Sequence, residues 1–303
     1  SSPTEKVALK EMVLGMTGLL GRPFAPANHH KSAAGMVVIG TPKTSPIIAS
    51  LKFEKQLSDL GSEGFLITTT TIDQKKCTVI AANTDTGILY GVFNFLQLLQ
   101  KEQRTEKLAL TSSPSIKNRI LNHWDNLDGS IERGYAGKSI WKWNELPNKL
   151  SERYKDYARA NASVGINGVV LNNVNANPQI LTHTYLEKVK ALADVFRPYG
   201  IKVYLSVPFN APVTIGKLST ADPLVEETKK WWSDKAAEIY SLIPDFGGFC
   251  VKANSEGQPG PQDYGRSHTD GANLLATALE PHNGIVMWRA FVYGNKNPDR
   301  TKQ

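Results

Sequence analysis

The chain has 303 residues, of which 41% are apolar and 21% charged, so it has enough apolar side chains for about two globular domains and is not disordered. Its net charge of +7 permits an anionic partner, but the lysines and arginines are scattered. No nucleic-acid-binding motif occurs, so we expect no nucleic-acid partner. No apolar run approaches the roughly 20 residues of a membrane helix, so no membrane span is predicted.

The first part of the chain predicts a small α+β sandwich domain over residues 1–113. Apolar residues recur at helical spacing over 4–20, and Gly21 is a stop signal. Three β-branched runs bounded by Gly, Pro, Asp or Asn predict strands at 37–40, 64–71 and 77–82. A second helical stripe covers 84–101, and a Thr–Ser–Pro stretch at 111–115 has the composition of a linker.

Neither the cysteines nor the histidines predict a metal centre. Cys77 and Cys250 each lie in an apolar, strand-like run, which predicts buried free thiols rather than a disulfide framework. His29 and His30 are adjacent in a loop without a second cluster of ligands, which is typical of exposed side chains. We therefore expect no metal and no cofactor.

From residue 114 to 303, strands and helices alternate. The predicted strands begin near residues 120, 165, 200, 246 and 285, and helices are predicted at 154–164, 184–199, 223–242 and 267–279. Such alternation predicts a parallel sheet covered by helices. No GxGxxG turn follows a strand, which disfavours a doubly wound sheet. We expect an α/β fold of the (β/α)8 TIM-barrel type with only about five strands in this chain, because a complete barrel takes roughly 250 residues.

Polar and aromatic residues gather just after the predicted strands, where a barrel builds its active site. The densest stretch is 118–143, which contains the first barrel strand and the long loop after it and mixes tryptophans with acidic and amide side chains. Aromatic planes beside hydrogen-bonding groups suit a polar, ring-shaped ligand. The alternative for this stretch is a tryptophan-rich hinge between the two domains.

Three charged residues near the strand ends are candidates for chemistry. Glu256 follows the fourth barrel strand in a Gly/Pro loop, where half-burial could raise the pKa of a carboxyl enough for general acid catalysis. An ordinary loop glutamate is the competing interpretation. Lys252 and Arg289 end neighbouring strands, and two cations at one pocket predict a bound carboxylate. The alternative is that each pairs with an internal acidic residue.

Four further residues complete the predicted substrate site. Trp124 and Val174 could supply apolar walls against a sugar face or a methyl group, although core packing explains both, and Val174 best. His123 and Asn173 are the polar groups that directly follow the first two barrel strands.

Four long motifs carry a family resemblance. The segments RILNHWDNLDGSIERGYAGKSIW, INGVVLNNVNA, VKANSEGQPGPQDYGRSHTDGANLLA and GIVMWRAFVY resemble the α-glucuronidases of glycoside hydrolase family 67, and the likeness extends over essentially the whole chain. The chain looks close to the enzyme of a bacterial xylan degrader. The resemblance implies an inverting, exo-acting hydrolase that removes terminal α-1,2-linked (4-O-methyl)-glucuronic acid from small acidic xylo-oligosaccharides.

The resemblance also implies residue roles. Glu256 matches the catalytic acid, Lys252 and Arg289 match groups near the uronic carboxylate, and Trp124 and Val174 match the sheath around the 4-O-methyl group. Inversion needs a second carboxylate as base, about 6.5–9.5 Å from the acid. The family's base candidates fall beyond Gln303, so we expect this chain to be part of a longer enzyme and to be inactive alone.

Two other functions compete with this one. A substrate-assisted hexosaminidase would need an Asp–Glu pair where this chain has Ser255–Glu256, which argues against it. A non-catalytic carbohydrate-binding barrel is the second alternative, and two further carboxylates at strand ends downstream would argue against that. We expect a periplasmic, cell-associated or secreted protein rather than a cytoplasmic one. A homodimer contact, if present, is expected in the C-terminal region that this chain lacks.

Overall fold

The computed structural model describes residues 2–26, 33–255 and 257–290, with the side chain of Ala290 left out. The chain divides into two compact units. The first comprises residues 1–119, 157–166 and 198–200, and the second comprises 120–156, 167–197 and 201–303. In the described part of the chain, no helix is both long and apolar enough to cross a membrane.

The described residues of the first half of the chain form four strands and four helices. They are α1 (Pro3–Leu20), β1 (Val37–Gly40), α2 (Pro46–Ser50), α3 (Glu54–Ser58), β2 (Phe65–Ile72), β3 (Lys75–Ala82), α4 (Asp85–Gln100) and β4 (Ala109–Ser112). The strands form one sheet in the order β1-β3-β2-β4. Strand β1 runs parallel to β3, and the other pairs are antiparallel. The predicted small α+β domain therefore has a sheet of its own.

Helices cover this sheet because its strands are apolar on both faces. On one face Val38, Leu66 and Val79 pack with Ile48 of α2 and Leu57 of α3. Helix α4 covers the opposite face, where a Cβ at Gly91 would lie 2.7 Å from Cγ2 of Ile80. Only glycine at this position lets helix α4 lie so close to strand β3.

One sequence prediction for this region was wrong. Residues 111–115 have the composition of a linker, but residues 109–112 form the edge strand β4, antiparallel to β2. Thr and Ser are typical of loops, yet an edge strand is held through its backbone and can face water on one side.

The second half of the chain alternates strands with helices, as predicted. Its elements are β5 (Ile120–Asn122), α5 (Glu152–Ser163), β6 (Gly168–Val170), α6 (His183–Phe196), β7 (Lys202–Pro208), α7 (Ala211–Thr214), α8 (Glu226–Leu242), β8 (Gly248–Ala253), α9 (His268–Leu279) and β9 (Ile285–Ala290). The five strands form one sheet in chain order, and every pair is parallel. The predicted parallel sheet is confirmed.

The two faces of this sheet differ. One carries an apolar cluster of Val170, Val174, Tyr204 and Cys250. On the other, Trp232 of α8 packs against Phe249 of β8, with ring centroids 5.6 Å apart. Side chains alternate between faces along a strand, so Lys252, two residues after Cys250, lies on the face of the apolar cluster. The predicted free thiols are confirmed, since Cys77 and Cys250 are both buried and unbridged.

Candidate active site

The two predicted carboxylate-binding cations are neighbours in the parallel sheet. Lys252 of β8 pairs directly with Arg289 of β9, one residue before each strand ends. Paired residues on adjacent strands point to the same face, and the strands are about 4.8 Å apart. The structure thus brings the two cations together at the carboxyl ends of β8 and β9.

Lys252 is almost completely buried, at 2% exposure. Its Nζ donates to Oδ1 of Asn175, 2.7 Å away, in the loop after β6. Burying a polar group is costly unless it is hydrogen-bonded, so this amide stabilises the Lys252 side chain at the strand end.

Trp124 lies beside Arg289. The Cζ atom of Arg289 is 5.9 Å from the centroid of the Trp124 ring, within the range of a cation–π contact. Trp124 is 39% exposed, whereas Trp141 and Trp143 from the same stretch are buried. An accessible aromatic ring beside a guanidinium can pack against one face of a sugar while the cation binds its carboxylate.

A buried aspartate organises the loop after β5. Asp125 is 3% exposed. Its Oδ1 lies 3.2 Å from Nδ1 of His123, and its Oδ2 accepts a 2.6 Å hydrogen bond from Oγ of Ser139. A carboxylate on Nδ1 fixes the orientation of the imidazole ring. His123 is therefore held at the strand end by Asp125.

Asn173 ties the loop after β6 to the loop after β5. Its Nδ2 donates to Oδ1 of Asn126 at 3.1 Å and to the backbone oxygen of Glu132 at 3.2 Å. Its Oδ1 accepts from the backbone nitrogen of Asn175 at 2.9 Å. These bonds suit a supporting role, and substrate contact by Asn173 stays a prediction.

Val174, the predicted wall for a methyl group, is 3% exposed and belongs to the apolar cluster around Tyr204 and Cys250. This position fits the packing alternative, and a sheath role for Val174 likewise stays a prediction.

Glu256 lies outside the described residues, as do His29 and His30. The loop around Glu256 is nevertheless tied down on both sides. The Nδ2 atom of Asn254 donates to Oδ2 of Asp263 at 3.0 Å, and the same Oδ2 accepts from the backbone nitrogen of Gly260 at 2.9 Å. The sequence suggested no role for Asp263. The structure shows that it holds the loop that follows β8.

Among the residues that the structure describes, no cluster of three or more His, Cys, Asp or Glu side chains could hold a metal ion. The arrangement at the ends of β5, β6, β8 and β9 instead combines Lys252 and Arg289 with the accessible ring of Trp124 and several amides. Such a set can bind an anionic sugar.

Family models match nearly the whole chain. The glycosyl hydrolase family 67 N-terminus matches residues 1–95, and the family 67 middle domain matches residues 98–303. The chain belongs to glycosyl hydrolase family 67. The predicted resemblance is therefore confirmed at the level of the family.

Curated members of family 67 align with the chain. It is 42% identical to "Probable alpha-glucuronidase A" of Neosartorya fischeri over 95% of this chain and 33% of that protein. It is also 42% identical to "Alpha-glucuronidase" of Hypocrea jecorina over 96% of this chain and 34% of that protein. The chain thus spans about a third of the length of these relatives. Both are fungal, whereas the motifs suggested a bacterial enzyme.

Solved structures share the fold at low identity. A GH138 enzyme targeting pectin rhamnogalacturonan II superposes with a TM-score of 0.58 at 13% identity, covering 93% of this chain and 40% of that one. A GH115 4-O-methyl-alpha-glucuronidase gives a TM-score of 0.55 at 14% identity, covering 93% and 38%. At such identity the likeness extends to the fold alone.

The sequence arguments missed two residues of this family 67 site. Asn175 holds Lys252, and Asp125 holds His123. The run of asparagines after β6 was the available signal for Asn175. Asp125 is one of the acidic residues of the stretch 118–143, and its hydrogen bonds to His123 and Ser139 form only when the loop is folded.

Proposed function

We propose that this chain is part of an inverting, exo-acting α-glucuronidase that releases terminal α-1,2-linked (4-O-methyl)-glucuronic acid from small xylo-oligosaccharides. Membership of family 67 and the names of its curated relatives support the reaction. The observation that carries it is the pairing of Lys252 with Arg289 beside Trp124. A uronic acid needs such a pair for its carboxylate and an aromatic wall for its ring.

The fold we propose for the intact protein is a (β/α)8 barrel, with residues 1–113 as a separate N-terminal domain and 114–303 as the start of the barrel. The five strands follow one another in chain order, and all are parallel. Parallel crossovers are almost always right-handed, so successive ones in the same direction place every helix on the same face. That arrangement curls into a barrel rather than forming a doubly wound sheet.

Glu256 is our candidate for the general acid, on the strength of the family motif that contains it. In the sequence it comes three residues after the end of β8, the strand that carries Lys252. The base that activates water for inversion is expected beyond Gln303, across the sugar from the acid. Turnover by residues 1–303 alone would contradict this assignment of the base.

The test uses the intact protein that contains this chain, with aldouronic acids as substrates and chromatography of the released sugar. We expect Glu256→Ala to lose most of the release, more strongly for poor leaving groups, because those depend on protonation by the acid. Glu106→Ala, at an exposed position of the first unit, is the matched control and should keep the wild-type rate. An unchanged rate in Glu256→Ala would remove Glu256 from this role.

A further inference from the structure

Trp288 precedes Arg289 in β9 and lies on the opposite face of the sheet, because side chains alternate between faces along a strand. Its ring meets the ring of Phe209, just after β7, edge to face at 6.0 Å. A Cβ at Gly271 of α9 would lie 2.7 Å from Cη2 of Trp288 and would also overlap Pro261 of the loop after β8. The indole therefore packs where three segments of the second unit meet.

One hydrogen bond fixes the orientation of this indole. Nε1 of Trp288 donates to Nδ1 of His268, the first residue of α9, at 3.2 Å. The two ring centroids are 5.9 Å apart, and the rings are inclined by 71°. An indole N–H can only donate, so Nδ1 must be the unprotonated nitrogen of the imidazole. The contact therefore depends on the neutral form of His268.

The surroundings of His268 favour that neutral form. Burial lowers the pKa of the imidazole below its ordinary value. The amino end of a helix, where His268 lies, also disfavours a positive charge. Near neutral pH His268 therefore accepts from Trp288, and as the pH falls it gains a proton on Nδ1 and loses this bond.

The other titratable side chains on the elements around His268 are Asp222, Lys229, Asp263, Tyr264, Arg266, Asp270 and Arg289. Each of the three carboxylates accepts a hydrogen bond from another side chain. Lys229 donates to Glu226 of its own helix, and Arg289 lies on the opposite face of the sheet. The hydrogen bond of the imidazole to Trp288 is thus the contact that its protonation changes.

The position of Trp288 matters for its neighbour Arg289. Arg289 is one residue from the end of β9, and the pairing of β9 with β8 ends at Ala290. A guanidinium binds a carboxylate through two parallel N–H groups, so a small rotation of the strand end would misalign it. A displacement of about 1 Å at a binding group can lower a rate about 100-fold. A bond that holds Trp288 therefore also helps to hold Arg289.

We propose that His268 is a positioning residue for uronate binding. Its hydrogen bond to Trp288 holds the end of β9 so that Arg289 presents its guanidinium to the carboxylate of the sugar. His268 acts through Trp288 and does not itself contact the sugar. The proposal rests on the proposed function, because that function supplies the uronate.

Two substitutions of His268 separate the hydrogen bond from the ring. His268→Asn keeps an acceptor near the place of Nδ1 and does not titrate, whereas His268→Phe keeps a ring and has no acceptor. In the intact protein, we expect His268→Phe to weaken the binding of free glucuronic acid about tenfold and His268→Asn to stay within about twofold of the wild type. Calorimetric titration at neutral pH measures the dissociation constants. His282→Phe, the same change at an exposed histidine that stacks on Tyr240, is the matched control and should bind as the wild type does.

The pH dependence tests the direction of the effect. As the pH falls and His268 gains a proton, the dissociation constant of the wild type should rise relative to that of His268→Asn. Simple attraction predicts the opposite, because an imidazolium near the site would attract a uronate and lower the constant. His123 and the carboxyl groups titrate in both proteins, so the ratio of the two constants isolates His268. A ratio that stays constant or falls would overturn the proposal.

NMR of the tryptophan side chains in the 303-residue chain tests the bond itself. The Nε1–H signal of Trp288, assigned by its absence in Trp288→Phe, should shift with pH in the wild type and stay constant in His268→Asn. A wild-type signal that does not change with pH would overturn the proposal, because the bond would then be absent. The pH ratio and this signal use the wild type and His268→Asn, so they decide the question even if His268→Phe does not fold.

Failure of the proposed function gives a different result from failure of this inference. A wild type that does not bind glucuronic acid would overturn the proposed function and this inference with it. Wild-type binding that His268→Phe leaves unchanged would overturn this inference alone.

Discussion

Buried charges are arranged differently in the two units of this chain. In the first unit Glu11, at 3% exposure, accepts from Nε of Arg159 at 2.8 Å and from the hydroxyl of Tyr199 at 3.1 Å. Glu63, which is half-buried, receives two hydrogen bonds from Arg119, at 2.8 and 3.2 Å. Both acids are thus paired with a cation of the same unit.

In the second unit, two cations lie side by side. Lys252 and Arg289 are paired on adjacent strands, and the contacts that hold them include an amide and an aromatic ring. Two like charges side by side repel each other, and an anionic ligand that bridges them relieves that repulsion. The contrast teaches that opposite charges matched within a unit stabilise its fold, whereas like charges placed together indicate a ligand.

The largest effect should come from removing one of the paired cations. We expect Lys252→Met to lower kcat/KM of the intact protein about 100-fold or more, because a uronate would lose a buried charge partner. The free energy of unfolding should fall by only about 1 kcal/mol, which is the net contribution of the lost hydrogen bond to Asn175. Steady-state kinetics and urea unfolding measure the two quantities. A larger loss of unfolding free energy in Lys252→Met, together with an unchanged kcat/KM, would contradict the contrast between the two units.

The next largest effect should come from breaking the ion pair between Glu11 and Arg159 in the first unit. Arg159→Met leaves the buried Glu11 without its cation, which should cost about 3 kcal/mol of unfolding free energy. Arg153→Met, at an exposed position of the same helix, should cost little. Urea unfolding of the chain compares them, and KM of the intact protein should be unaffected. Equal stability of the two variants would show that the pair does not hold the unit together.

The smallest effect should come from breaking the ion pair between Asp222 and Arg266 in the second unit. Arg266 donates from Nε and Nη2 to the carboxylate of Asp222 and lowers the pKa of that carboxyl below its ordinary value. A lowered folded-state pKa adds stability above the unfolded value, which is lost as the pH falls through the folded value. Asp222→Asn should therefore cost about 1 kcal/mol at pH 7.

Urea unfolding of wild type and Asp222→Asn over a pH series measures this difference. The difference in unfolding free energy between the two proteins should disappear as the pH falls below about 3.8. A gap that stays constant with pH would mean that the ion pair contributes nothing and that the substitution acts through packing.

The sequence predicted the bounds of a helix well where the residue that caps the helix lies directly beside it in the chain. The stripe over 84–101 became α4, Asp85–Gln100, because Thr84 accepts from the backbone of Gly87 as N-cap. The helix predicted over 267–279 became α9, His268–Leu279, because Ser267 and Asp270 form a capping box at its start. Strand β4 was missed because its pairing depends on β2, some forty residues earlier.

At the candidate site, too, the sequence predicts positions along the chain but not contacts between distant segments. The position of Lys252 and Arg289 at strand ends follows from the strand pattern, but their pairing in one register is a property of the sheet. Likewise, three tryptophans occur in residues 118–143, and composition cannot show which one a ligand could reach. Packing buries Trp141 and Trp143 and leaves Trp124 accessible.

By itself, the sequence determined the family, the alternation of strands and helices, and the residue types that a uronic acid needs, because periodicity, caps and long motifs are local properties of the chain. Only the tertiary structure decided which of those residues meet. The register of β8 and β9 set Lys252 beside Arg289, and the loop after β6 placed Asn175 beside Lys252. Such contacts join segments far apart in the chain, and a local pattern does not encode them.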